Sequence, residues 1–328
     1  MSTPVRPAPG TPTHTPAGLL LIDAGNTRIK WRLITPGRAG DLTLAQGSCA
    51  TADAASLAGA WADWPVRHAW LTCVADDQVL ARLHAALATR QPAVSVTRVL
   101  PGAHCRGLAN AYPAPAQLGA DRWAGAIGAH HLHPGRVLVI ATLGTATTLD
   151  LIVPLASPGA APRGGGATDT PAATHAGQAA VDTAVHAADT PHPAGCTGQF
   201  AGGVILPGVE LMRAALAQGT ARLPLAQGHY QPVATSTGDA IVSGILHAQL
   251  GAIERLCALG QAEAAARTPG RPALCLLGGG AAAAVRELLV TPATAPRLQV
   301  EFGAADDLVL RGLAVIAAGP PCCPPERS

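Results

Sequence analysis

Asp121 and Arg122 close the run Tyr112-Pro-Ala-Pro-Ala-Gln-Leu-Gly-Ala-Asp-Arg122, where a Pro-rich approach gives way to the start of a predicted helix. At the mouth of a cleft, an Asp can take a proton from an attacking hydroxyl and an Arg can hold an anionic substrate through its planar fork. The plainer alternative makes Asp121 a helix-start charge and Arg122 its ion-pair partner. A second carboxylate, Asp23, ends the apolar run Leu19-Leu-Leu-Ile22 and opens the turn Asp23-Ala-Gly-Asn26. A strand-end carboxylate followed by a turn rich in N–H groups can hold a metal-bound phosphate tail, although a hairpin with a D-x-G turn is also a common structural device.

The elements that must position these residues come in two copies. After the first turn, Ile29, Trp31 and Leu33 alternate with Lys30 and Arg32, the period-2 pattern of a second strand. Arg136 to Val153 repeats the arrangement: a Val/Ile/Leu strand, the turn Thr142-Leu-Gly-Thr145, and an apolar β-branched strand leaving it. Gly25 and Gly144 hold equivalent places. A third glycine turn follows the apolar strand at Leu274-Cys-Leu-Leu-Gly-Gly-Gly280. Two phosphate-type hairpins on two similar halves outline an ATP cleft between duplicated α/β domains, a layout that resembles the superfamily of actin, sugar kinases and heat-shock chaperone ATPases. No G-x-x-x-x-G-K-[ST] is present, and no G-x-G-x-x-G opens a helix after a strand.

Composition narrows the classes. The 328 residues suffice for two cored domains, and the net charge of +2 creates no basic field. No stretch interleaves Lys or Arg with aromatics, so nucleic-acid binding is not expected. No run of 18 apolar residues exists, so no membrane span is expected. Eight cysteines without a C-x-x-C read as reduced thiols of a cytoplasmic protein.

The chain divides into a Pro/Thr-rich disordered extension (1–18), a first domain (19–128), a second domain (129–318) and a short tail (319–328). The extension has no apolar h-region and is not a signal peptide. In the first domain, Val66 to Val74 and Val94 to Leu100 have strand character, and Asp77 to Thr89 reads as an amphipathic helix. The second domain carries a low-complexity insertion at about 156–197, too poor in large apolar residues to form a core. Its His175, His186 and His192 fit no metal-ligand spacing and read as solvated, as do His130, His131 and His133 at a helix end. Asp239 to Leu259 reads as a long helix with Thr237 as N-cap and Ile241, Val242, Ile245, Leu246, Leu250 and Ile253 as its buried stripe, with Gly244 and Gly251 allowing close packing. Asp307 to Ala317 reads as a final helix.

Six motifs then appear in order: Asp23-x-Gly-Asn-Thr27, Leu118-Gly-Ala-Asp-Arg122, Gly144-Thr-Ala-Thr-Thr148, Gly202-Gly-Val-Ile-Leu-Pro-Gly208, Thr220-Ala-Arg-Leu-Pro224 and Thr237-Gly-Asp-Ala-Ile-Val-Ser-Gly244. From Leu19 to Ala318, outside the insertion, the chain resembles the type III pantothenate kinases, also called the Bvg accessory factor family. The resemblance implies two ribonuclease-H-like α/β halves, a homodimer, and ATP-dependent phosphorylation of pantothenate at the first step of coenzyme A biosynthesis. It makes Asp23, Ala24, Gly25, Asn26, Thr27, Arg28, Ile29 and Lys30 the first phosphate loop, with Asp23 helping to hold Mg²⁺ through water and Thr145 contacting ATP. It places pantothenate among Tyr112, Gly119, Ala120, Asp121 and Arg122, with Asp121 as the base and Thr220 reaching in across the dimer interface.

In one respect the chain departs from the family pattern. Many members bind an activating K⁺ or NH₄⁺ through an Asp where this chain has Thr142, whose neutral hydroxyl is a poorer ligand. Two rivals share much of this pattern. One is another kinase of the superfamily, acting on a sugar or acetate; the other is a non-enzymatic regulatory protein that kept an ATP-binding fold. The acceptor-side residues favour pantothenate over the first, and the intact set Asp23, Asp121, Arg122 and Thr145 argues against the second.

Overall fold

The period-2 apolar runs become two mixed sheets built to the same plan. The computed structural model describes residues 18–36, 41–90, 94–155, 193–219, 225, 227–291 and 298–320. In the first sheet, β1 (Gly18–Ala24), β2 (Arg28–Thr35) and β3 (Leu42–Ala50) form an antiparallel meander. β4 (Val66–Cys73) and β5 (Ser95–Arg98) then add parallel to β1, giving the order β3-β2-β1-β4-β5. β6 (His104–Cys105) and β7 (Leu108–Asn110) are short. In the second sheet, β8 (Leu138–Leu143), β9 (Ala146–Pro154) and β10 (Gly198–Pro207) form the meander, and β11 (Leu274–Gly278) and β12 (Glu301–Ala304) add parallel to β8. The order β12-β11-β8-β9-β10 repeats the first sheet, and β7 and β6 extend it beyond β10. This is a duplicated ribonuclease-H-like α/β fold. β6 and β7 precede residue 128 and yet pair with the second sheet, so the chain crosses between the sheets before that point.

The helices are α1 (Leu57–Trp61), α2 (Asp77–Arg90), α3 (Ala120–Leu132), α4 (Val209–Gly219), α5 (Thr237–Arg267), α6 (Ala282–Leu289) and α7 (Leu308–Ala317). Alternation along each strand sends side chains to two different cores. From β1, Leu20 and Ile22 pack outward with Trp61, Leu83 and Leu87 of α1 and α2. Leu19 and Leu21 turn inward, where Trp123 and Ile127 of α3 and Leu310 and Leu313 of α7 fill the space to Leu138, Ile140 and Ile152 of the second sheet. The far face of that sheet, through Val139, Leu149 and Leu151, packs on Leu250, Ile253 and Cys257 of α5. Helices α3 and α7 are therefore shared by both sheets, and the starts of these two helices face the hairpin turns.

Several expectations change in detail. The long helix runs on to Arg267, and its N-cap is Ser236, whose hydroxyl accepts from the Asp239 N–H, so Thr237 is the first helical residue. Gly244 and Gly251 have open space where a Cβ would stand; the glycine of close approach is Gly260, whose Cβ would lie 2.7 Å from Val139 Cγ2. His130 is buried and shares a 3.0 Å hydrogen bond with Thr197, so it is a core residue and not a solvated one. Among the described residues no His/Cys/Asp/Glu group has the arrangement of a metal site. Cys49, Cys73, Cys196, Cys257 and Cys275 are free thiols, whereas Cys105 is disulfide-bonded, contrary to the expectation for all eight. Among the described residues no helix is long and apolar enough to cross a membrane. The extension up to residue 17, residues 156–192 of the insertion with its three histidines, Thr220, and the tail beyond 320 lie outside the described residues.

Candidate active site

The two hairpin turns meet. Gly25 N–H donates to the Arg28 carbonyl (3.0 Å) and Gly144 N–H to the Ala146 carbonyl (3.1 Å), so a glycine N–H closes each turn, the second one residue tighter than the first. Thr27 Oγ1 and Thr145 Oγ1 share a 2.6 Å hydrogen bond across the gap. Thr51, directly after β3, braces the first turn by donating its hydroxyl to the Gly25 carbonyl (2.8 Å). The third glycine turn braces the second: Gly279, at φ +97°, lies so close that a Cβ would stand 2.3 Å from the Leu143 carbonyl oxygen.

Behind the turns lies a small cavity of about 100 Å³, lined by Asp23, Lys30, Asp121, Thr142, Asp150 and Asp307 among others. Asp23 ends β1, paired across the hairpin with Lys30. Burial pushes its carboxyl up to about 6, and the neighbouring Asp121 adds to the rise; Lys30 and the Thr72 hydroxyl oppose it. Lys30 offsets the burial only in part, and a hard oxygen donor in this position suits a divalent ion. Asp121 enters from the first turn of α3, where its Oδ1 accepts from the Arg122 N–H (2.8 Å). Gly119 is the N-cap, and a Cβ there would stand 2.7 Å from Asp121 Oδ1, so the glycine gives the carboxylate its place.

Arg122 is not the free anion fork that the sequence suggested, nor is Asp121 its partner. Its Nε and Nη2 donate to Asp150 Oδ1 at 3.0 and 2.5 Å, its Nη1 reaches the Tyr112 hydroxyl at 3.4 Å, and its guanidinium lies 5.6 Å from the Phe200 ring centre. Burial pushes the Asp150 carboxyl up to about 6 against the pull of Arg122. Asp150 and Asp307 are the site residues the sequence reading missed. The signal for Asp150 was a carboxylate inside the apolar strand Leu149-Asp-Leu-Ile-Val153. Asp307 precedes α7 in a left-handed conformation (φ 56°), binding Arg32 closely and standing 3.9 Å from Lys30; nothing in its sequence context marks it.

A cleft of about 1290 Å³ is lined by Thr27, Arg28, Gly144 and Thr145 of the turns together with Val242, Ile245, Leu246, Gly280 and Ala281. Phosphate-type turns and apolar side chains lining one cleft suit a nucleotide. Asn26, Thr27 and Arg28 are exposed at the first turn, whereas the side chains of Ala24 and Ile29 belong to the first core, leaving only their backbone to the loop. Of the predicted acceptor residues, Asp121 and Arg122 line the small cavity, Tyr112 is joined to it through Arg122, and Gly119 and Ala120 lie outside its lining; Thr142 lines it from the second hairpin.

A profile of the type III pantothenate kinases matches residues 19–156 and 194–259. A type III pantothenate kinase of Janthinobacterium sp. (strain Marseille) is 39% identical over 91% of this chain and 97% of its own length. Those of Aromatoleum aromaticum and Herminiimonas arsenicoxydans are 39% and 38% identical over the same shares. The six motifs, the doubled sheet and the paired turns are all accounted for by one lineage: the chain belongs to the type III pantothenate kinase family.

Proposed function

We propose that this chain transfers the γ-phosphoryl group of ATP to the primary hydroxyl of pantothenate, giving 4'-phosphopantothenate for coenzyme A synthesis. Beyond family membership, the observation that carries the reading is the cavity that gathers Asp23 and Asp121 directly behind two turns joined by Thr27 and Thr145. The wide cleft takes the nucleotide, with its triphosphate at the turns. Asp121 accepts the proton of the acceptor hydroxyl as that oxygen forms its bond to the γ-phosphorus in line, and the bond to the β,γ-bridging oxygen breaks to release ADP. Asp23 is the residue that would hold Mg²⁺ through water, and the ion when bound supplies charge neutralisation of the triphosphate. Tyr112 and Gly119 to Arg122 enclose the acceptor.

The homodimer, the contribution of Thr220 across it, and the cytoplasmic setting belong to the same proposal. What supports the dimer is apolar side chains left in water on consecutive elements: Val204 and Ile205 on β10, 48% and 62% exposed, and Leu211 on α4, 46% exposed. Light scattering that finds a fully active monomer at assay concentration removes it. A coupled ADP-release assay with pantothenate against a panel of sugars and acetate tests the activity. Turnover confined to pantothenate is expected, and turnover of a sugar or acetate instead overturns the assignment of the acceptor.

A further inference from the structure

Arg122 and Asp150 form the most deeply buried ion pair at the site, with side chains 8% and 4% exposed. Burying two charges costs free energy that their attraction only partly returns, and apolar residues of similar volume often fill such a place at least as well. The pair is nevertheless built into the backbone. Strand β10 breaks register between Phe200 and Gly202, and Gly203 then passes over the pair so closely that a Cβ would stand 2.4 Å from Asp150 Oδ1 and 2.8 Å from Arg122 Nη2. On the other side Phe200 lies under the guanidinium. The Gly202-Gly203 pair of the sequence motif thus has a structural task.

We propose that Asp150 is a positioning residue for the acceptor. From the middle of β9 it grips the Nε and Nη2 edge of Arg122, between Phe200 and Gly203, so that Nη1 and the Tyr112 hydroxyl are the groups left for the acceptor. The inference rests on the acceptor site described above and deepens it. An Arg with five free donors on a long side chain can meet an anion in many geometries. With one edge occupied and its charge balanced, Arg122 offers one N–H edge in one place. Asp150 acts through Arg122 and never touches the acceptor.

The test is a double-mutant cycle read by steady-state kinetics, with urea melts to confirm that each variant is folded. Asp150→Asn keeps an acceptor oxygen and removes the charge that aims the guanidinium. It is expected to raise the KM for pantothenate roughly tenfold or more, as for a lost charge-assisted hydrogen bond, with the KM for ATP within about twofold. In an Arg122→Gln background the same change is expected to alter the pantothenate KM less than about twofold, because the residue it positions is gone. An equal effect in both backgrounds, or an equal rise in both KM values, overturns the proposal. Should Asp150→Asn not fold, Gly203→Ala decides: its methyl meets the pair, and the Leu149 carbonyl oxygen at 2.3 Å, without changing a charge. A folded Gly203→Ala enzyme with an unchanged pantothenate KM overturns the proposal. If the unmodified protein turns over a different acceptor of the panel, the pantothenate assignment fails, and the same cycle run with that acceptor still decides on Asp150. No turnover of any acceptor overturns both.

Discussion

The two halves carry the same sheet and opposite charges. In the first hairpin Asp23 stands across from Lys30; in the second, Thr142 stands across from Thr148. Two residues further along the outgoing strand come Arg32 in the first half and Asp150 in the second. Each ties its strand to the start of a helix that lies between the sheets: Arg32 to Asp307, which precedes α7, and Asp150 to Arg122 in the first turn of α3. The tie recurs with its polarity reversed. Duplication preserved what apolar periodicity and turn geometry dictate, and the chemistry diverged at a handful of equivalent positions. The first half presents a carboxylate and two cations to the site, whereas the second presents neutral hydroxyls and one buried acid.

The sharpest asymmetry is Asp121, because the first turn of α7 carries no acidic residue. Asp121→Asn should lower kcat by roughly two to four orders of magnitude while leaving the ATP KM nearly unchanged. A purified variant with close to normal turnover would return Asp121 to the role of a helix-start charge.

The reversed ion pairs differ in burial, so they should differ in stability. Arg122→Met strands the Asp150 carboxylate in the interior and should cost about 3–5 kcal/mol of unfolding free energy. Arg32→Met faces a partner one-third exposed, Asp307, which can turn to water. Screening there reduces the expected loss to about 1 kcal/mol or less. Urea denaturation of the two variants compares them directly, and equal losses would mean that the pairs are equivalent after all.

The acids of the two halves should also set the pH dependence of stability. Asp23 and Asp150 keep their protons in the folded chain up to about pH 6, whereas an unfolded Asp releases its proton near ~4. The folded state therefore binds more protons in that window, and stability falls as pH rises from about 4 to about 6. Asp23→Asn should accordingly be more stable than the unmodified protein at pH 8, by roughly 1–3 kcal/mol, with the gap closing at pH 4. A gap that is the same at both pH values would show that the Asp23 carboxyl is not held up by its surroundings.

The sequence shows the duplicated plan because that plan depends on patterns within single segments. Alternation in Leu19 to Ile34 and again in Arg136 to Val153 gives both hairpins, and Gly25 and Gly144 mark both turns. The helix start that carries Asp121 was legible because Gly119-Ala-Asp-Arg122 follows a Pro-rich approach. What stayed hidden depends on contacts between distant segments. Arg122 meets Asp150 28 positions away, and Arg32 meets Asp307 275 positions away. No local periodicity encodes such a meeting. The same limit explains Gly203, whose value lies in what passes beneath it, and Gly244 and Gly251, which look like packing glycines and face open space.

Thr142 offers the smallest effect and the most direct way to make the halves alike. It occupies in the second hairpin the place that Asp23 holds in the first, at the end of the opening strand and on the wall of the same cavity. A hydroxyl there contributes a dipole where a carboxylate would contribute a full charge, so the field available to a monovalent cation is weaker. Asp23, Asp121, Asp150 and Asp307 already line the cavity, and a cation has less to gain from Thr142 than from an acid in its place. We expect K⁺ or NH₄⁺ to change the activity of the unmodified protein by less than about twofold, and Thr142→Asp to make activity depend on the cation. The fifth carboxylate should be tolerated only when a counter-ion neutralises it, so the variant should also melt at a lower temperature in Tris–HCl alone than with KCl added. The measurement is kinase activity in Tris–HCl titrated with KCl, NaCl and NH₄Cl at matched ionic strength, which removes general screening from the comparison. A steep, saturable, K⁺-selective rise in the unmodified protein would show that other groups replace the missing charge, and that the two hairpins differ less in function than their residues do.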